Sequence, residues 1–156
     1  MPQAIKFTKM HGLGNNYVFV DLFGQPLREG ILSDLAVRVS DVSTGIGSDG
    51  LILIGPSERA DFRMRVFNAD GSEAKNCGNG LRCVAKYVVE RSRTSKRRFT
   101  IETLGGIVRV DAHTDAAGRV EQVTVDMGEP RLRKRDLPMR GDPDSETVDE
   151  AVEIGG

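Results

Sequence analysis

Asn76-Cys77-Gly78-Asn79-Gly80 sets the chain's best candidate for a reactive side chain among residues too small to cover it. The residues that follow, Leu81, Cys83, Val84, Ala85, Val88 and Val89, are apolar around most of a helix circumference. That pattern predicts a buried helix with Cys77 at its mouth. The first N–H groups of a helix lack internal partners and carry the positive end of its dipole. Such a position favours a thiolate, the form a base or nucleophile needs. The amides of Gly78 and Asn79 could receive an anion such as a carboxylate. Thiolate and carboxylate site side by side would suit removal of a proton from the carbon next to that carboxylate. Against this stands the commoner role of a free cysteine as a small core residue. The flanking glycines and asparagines pack poorly in a core and weigh for chemistry. Spacing alone leaves both readings open.

Cys83 is different. Six residues along the helix, it is rotated by roughly 240° and displaced by about 9 Å from Cys77. It can neither face Cys77 across one carbon atom nor readily form a disulfide with it. It reads as core.

The elements that must position Cys77 follow from periodicity. Ile5 to Met10 alternates and predicts a strand, His11 to Asn16 a tight glycine loop, and Tyr17 to Leu22 a second strand. Leu32, Leu35, Ala36 and Val39 recur at helical spacing, predicting a short helix over residues 31–41. A glycine-rich turn, 44–50, leads into the apolar strand Leu51–Ile54. Asp61–Phe67 alternates as a half-buried strand, and Asn68–Ser72 is a polar turn. The basic run Arg91–Arg98 reads as a solvated loop after the buried helix. Strands are expected at Phe99–Thr103, Ile107–Val110 and Val120–Met127. One short helix, one buried helix and many strands predict an α+β fold, a mixed β-sheet curled around a central buried α-helix. Residues 1–130 would form this domain. Residues 131–156, rich in charge and proline, would lead toward a second one.

Bulk composition narrows the classes. With 156 residues, 38% hydrophobic and 29% charged, the chain is of globular type. A net charge of −1 supplies no general field for nucleic acid or an anionic membrane. Met1–Phe7 holds no apolar run of signal-peptide or membrane-spanning length. Two cysteines make a secreted disulfide scaffold improbable and point to a reducing cytoplasmic setting. Two histidines and two cysteines without close pairing are a poor metal set. His11 reads as turn packing, and Asp49 and Asp70 as local hydrogen-bonding residues of glycine turns.

Six segments in order carry a resemblance: Lys9-Met10-His11-Gly12-Leu13-Gly14-Asn15, Gly45-Ile46-Gly47-Ser48-Asp49-Gly50, Phe67-Asn68-Ala69-Asp70-Gly71-Ser72-Glu73, Asn76-Cys77-Gly78-Asn79-Gly80-Leu81-Arg82-Cys83, Glu102-Thr103-Leu104-Gly105-Gly106 and Met127-Gly128-Glu129-Pro130. Their succession resembles the amino-terminal half of the diaminopimelate epimerases. The resemblance implies interconversion of LL- and meso-diaminopimelate, on the route to lysine and peptidoglycan precursors, with no cofactor and no metal. It implies two similar domains facing each other across the substrate, with one cysteine from each exchanging protons at opposite faces of the α-carbon. Cys77 would be the catalytic cysteine of this half. Gly78 and Asn79 would bind the α-carboxylate, and Asn15 and Asn68 would contact substrate. Read without the family, both asparagines suit turns.

This sequence departs from the family in three places. Gly50 stands where some members have a substrate-contacting glutamine, and Asn16 where aspartate is frequent. The Cys-Gly-Thr-Gly turn that carries the second cysteine is not found, so the chain alone is expected to be an inactive half. The expected partners are diaminopimelate and the carboxy-terminal half of the same enzyme, with a homodimer left open. Proline racemase-like isomerisation is one alternative. A non-catalytic domain that binds amino acids or pairs with another chain is the other.

Overall fold

The computed structural model describes residues 4–137 and 139–151. Positions 1–3, 138 and 152–156 lie outside it, and with them part of the Met1–Phe7 start and of the 131–156 segment. One eight-stranded mixed sheet has the order β1 (Thr8–Gly12), β2 (Asn15–Asp21), β3 (Gly50–Gly55), β4 (Phe62–Asn68), β6 (Arg98–Thr103), β7 (Gly106–Thr114), β8 (Val120–Asp126), with the short β5 (Glu73–Ala74) paired to β4. The β2–β3 and β4–β6 pairs are parallel and the others antiparallel. Two helices complete the fold, α1 (Leu32–Ser40) and α2 (Gly78–Glu90). The sheet curls because α2 touches both of its edge strands, β1 and β8, as well as β4 and β7. The α+β expectation of a mixed sheet wrapped around a buried helix is therefore correct.

Strand β3 explains how two helices share one sheet. Each of its residues is buried, the pattern of a strand covered on both faces. Ile52 and Ile54 face α2 in a core with Phe19, Met64, Leu81, Val84, Val88 and Ile101. Leu51 and Leu53 face the other way, toward Leu32 and Ala36 of α1. On α2 the buried face takes in Gly80, Leu81, Cys83, Val84, Ala85, Val88 and Val89, while Arg82 and Glu90 reach solvent. Fully burying an aliphatic side chain contributes roughly 1.5–3 kcal/mol, so this face holds α2 in place.

Several local expectations need correction. The first strand starts at Thr8, not Ile5; ahead of it, the Gln25 side chain bonds the Lys6 backbone from both sides, with Nε2 donating to Lys6 O and Oε1 accepting from Lys6 N. The expected six-residue loop shrinks to a two-residue hairpin turn, Leu13-Gly14, both at positive φ (54° and 86°). A primed turn of this kind matches the twist of the flanking strands. His11 thus sits on β1 opposite Asn16, not in a turn. Strand β7 runs well past the expected Ile107–Val110, and β5 was not foreseen.

The basic run is no free loop. Arg93 pairs with Asp21 and lies over the Phe23 ring, Lys96 pairs with Asp61, and Arg98 pairs with Asp111. Exposed pairs like these contribute about 0–1 kcal/mol each, but together they staple the segment to the sheet. Asp61 is held below the usual carboxylate range, first by Lys96 and then by the Thr100 N–H.

After β8 the chain turns back on itself. A short 3-10 turn, Lys134–Asp136, and an antiparallel bridge between Arg133 and Glu146 form a local, largely exposed unit. Among the described residues no helix is long and apolar enough to cross a membrane.

Candidate active site

Cys77 caps α2. Its backbone is extended (φ −152°, ψ 103°), and its Sγ accepts from the Gly80 N–H at 3.3 Å. The cap forms because sulfur takes the place that a serine or aspartate oxygen fills at other helix starts. Gly80 is required for closeness: a Cβ there would lie 2.7 Å from Ile52 Cδ1 and 3.3 Å from the Cys77 sulfur. The N–H groups of Gly78 and Asn79, ahead of any intrahelical acceptor, meet no protein acceptor among the described residues. A Cβ at Gly78 would meet only the Met127 sulfur, at 3.8 Å, so the space beside its Cα is uncrowded.

The approach to Cys77 is fixed from both sides. Arg65 grips Glu73, four residues before the cysteine, through a fork with Nε at 2.7 Å from Oε1 and Nη2 at 2.8 Å from Oε2. Its outer nitrogens hold Glu29 in the same way. Paired guanidinium–carboxylate forks are strong and directional, and Arg65 is held above its usual range by Glu73 and then Glu29. On the other side, the β6–β7 turn donates Gly105 N–H to Lys75 O at 2.7 Å.

Across the cleft lies the start of β2. Asn15 Oδ1 is 3.9 Å from the Cys77 sulfur and Tyr17 Oη is 3.6 Å from it. Asp49, beyond the Gly45–Gly47 turn, accepts from Asn15 Nδ2 at 2.8 Å and from Asn16 N at 2.7 Å, while its own N–H donates to Asn16 O at 2.8 Å. Asp49 therefore does not serve its own turn, as expected, but clamps the hairpin that faces the cysteine. Asp70 does act locally, accepting from Ser72 N at 2.9 Å. Tyr17 is buried at 7% exposure. Its hydroxyl is pushed up to about 12, chiefly by burial and next by its bond to Cys77.

Of the residues expected at the site, Cys77, Gly78, Asn79 and Asn15 converge. Asn68 ends β4 opposite Gly50, at the same end of the sheet, and its Nδ2 is committed to Ser72 Oγ at 3.0 Å. Cys83 is buried at 5% exposure, with burial pushing its thiol up, as the core reading requires. Two further parts of the site carry no such signal in the sequence: Tyr17, which faces the sulfur, and Asp49, which holds Asn15. Tyr17 was read only as strand-forming, and no local signal marks a hydroxyl aimed at a residue 60 positions away.

The Gly50 departure has a structural cause. A Cβ there would lie 2.1 Å from Phe67 O and 3.1 Å from Tyr17 Cε1. This backbone leaves no room for a glutamine. Gly50→Ala should lower the thermal midpoint of the chain by roughly 5–10 °C, the cost of overpacking against a strand backbone. A midpoint within 2 °C of the parent, by calorimetry, would show that the strands yield freely here.

A family model described as diaminopimelate epimerase matches residues 7–133. The diaminopimelate epimerase of Bacillus licheniformis is 59% identical over 153 residues, which make up 98% of this chain and 53% of that protein. The chain spans about half the length of the curated relatives it matches. Among solved structures, a methylitaconate-delta-isomerase superposes with a TM-score of 0.61 at 19% identity, covering 74% of this chain and 36% of that one. A hydroxyproline epimerase from Agrobacterium vitis gives 0.57 at 18% identity, covering 78% and 40%. These two likenesses establish the fold alone. With that family model spanning residues 7–133, most of its length, the chain belongs to the diaminopimelate epimerase family.

Proposed function

We propose that this chain is the amino-terminal half-site of a cofactor-independent diaminopimelate epimerase, acting in the cytoplasm on lysine and peptidoglycan precursors. The observation that carries the reading is the Cys77 sulfur at the mouth of α2 beside the open amides of Gly78 and Asn79. The α-carboxylate of the substrate would sit on those amides. The thiolate of Cys77 would then take the α-proton: the Cα–H bond breaks, an S–H bond forms, and the electron pair spreads into the carboxylate the helix holds. A cysteine thiol of the carboxy-terminal half returns a proton to the opposite face, leaving that sulfur anionic. After product leaves, Cys77 loses its proton to solvent and the other sulfur takes one up, which resets the pair. Asn15 and Asn68 would contact the amino acid end, whose two charges an amide can match by donating and accepting. Residues 131–156 would carry the chain toward the second domain.

The test joins this chain to the carboxy-terminal half of the Bacillus licheniformis relative. In deuterated water the joined protein should convert LL- to meso-diaminopimelate with deuterium entering at the α-carbon, and should leave L-proline unlabelled. Exchange on proline and none on diaminopimelate would replace this reading with the racemase one. Binding of diaminopimelate without any exchange would favour a non-catalytic domain.

A further inference from the structure

The Cys77 sulfur has three hydrogen-bonding neighbours of three different kinds. Gly80 N–H, at 3.3 Å, can only donate, so it serves the anion. Asn15 Oδ1, at 3.9 Å, is a carbonyl oxygen and can only accept, and the bond from Nδ2 to Asp49 at 2.8 Å fixes which end of the amide faces the sulfur. That oxygen serves the thiol. Tyr17 Oη, at 3.6 Å, can do either, since a hydroxyl both donates and accepts and rotates to suit. We propose that Tyr17 is a positioning residue that keeps the Cys77 sulfur hydrogen-bonded, and so in one place, in both of its protonation states.

This role for Tyr17 rests on the proton transfer proposed for Cys77. A sulfur that alternates between thiolate and thiol loses or gains its own proton at every turnover. Gly80 N–H serves only the anion and Asn15 Oδ1 only the thiol, so without Tyr17 the sulfur would exchange one partner for the other at each transfer and swing between them. With Tyr17, the phenolic O–H points at the thiolate before transfer. Once the α-proton is on sulfur, the S–H points at the phenolic oxygen. No proton leaves the tyrosine in either state, and its buried hydroxyl resists ionising.

The ring is built to stay put. It packs edge-on against Phe19 at 6.4 Å between centroids. On its other side, Gly50 lacks the Cβ that would press on Tyr17 Cε1. The bare backbone at position 50 and the hydroxyl at position 17 thus belong to one arrangement, in which the space a longer side chain would take is given to the tyrosine.

Tyr17→Phe removes the hydroxyl and keeps the ring. In the joined enzyme kcat should fall by about 10- to 100-fold, the loss expected for a hydrogen bond to a charged group, with KM within twofold of the parent. In the chain by itself, alkylation of Cys77 by iodoacetamide at neutral pH should slow about tenfold, because the thiolate loses a donor. The unfolding midpoint, measured alongside, checks that the fold is kept. Incorporating 3-fluorotyrosine at position 17, which restores a hydroxyl of the same reach, should return kcat to within threefold of the parent. An unchanged kcat, an unchanged alkylation rate, or failure of the fluorotyrosine protein to recover would each overturn the proposal. The alkylation arm needs no turnover. If the joined parent enzyme exchanges no protons, the epimerase reading fails while the claim about the sulfur is still tested.

Discussion

Replacing Cys77 with alanine in the joined enzyme should cut kcat for diaminopimelate by about 10³-fold or more, with little change in stability. General acid–base groups contribute roughly 10²–10⁴-fold to proton transfer, and at this face of the substrate the structure offers no substitute. Asn15 and the helix amides do not titrate in the useful range, the Cys83 thiol is buried on the core face of α2, and the Tyr17 hydroxyl is pushed up to about 12 by burial and by Cys77 itself. The alanine methyl cannot accept from Gly80 N–H, so one helix-cap bond is lost, at a cost of about 1 kcal/mol. Substrate binding should survive, since the carboxylate site proposed for this half is made of backbone amides. Loss of exchange with retained diaminopimelate binding, read by calorimetry, is the expected pair of results. Exchange at one-tenth of the parental rate or better would remove Cys77 from the chemistry.

Supplying the other half should have the second large effect. The 156-residue chain alone should turn over diaminopimelate at least about 10³-fold more slowly than the joined protein, because one face of the α-carbon then meets water in place of a positioned acid. Without the second half, the helix amides also face solvent, which weakens their hold on developing negative charge. Adding the carboxy-terminal half in trans should restore part of the rate, in proportion to how well the two halves associate. The two-cysteine reading would not survive full activity from the chain by itself.

How much of this could be read from residues alone depends on the distance over which each feature is decided. Cys77 as a helix cap was legible, because capping is settled within three residues: the sulfur and the Gly80 N–H it accepts. Burial of α2 was legible too, since apolar residues on most sides of a helix leave it nowhere to go but the core. The curled sheet followed from counting one buried helix against many strands. The ends of β1 and the width of its hairpin were misjudged because Leu13 and Gly14 alone make the turn. The outer glycine and asparagine, each an ordinary loop residue, are drawn into pairing by the strands they flank. Arg91–Arg98 looked like a solvated loop because its carboxylate partners are supplied by other segments, Asp21 by β2, Asp61 by the turn before β4 and Asp111 by β7.

By itself the sequence determined that Cys77 would stand at the start of a buried helix, for that is a property of a few adjacent residues. Only the tertiary structure decided what surrounds the sulfur. Tyr17 reaches Cys77 across 60 positions, and Asn15 reaches Asp49 across 34. Neither meeting exists until β2 and β3 align in parallel, with Val18 opposite Leu51, and α2 is pressed into the curl of the sheet. A shift of one residue in a strand turns every side chain to the other face, so these contacts are set by register and packing, which no short stretch of residues specifies.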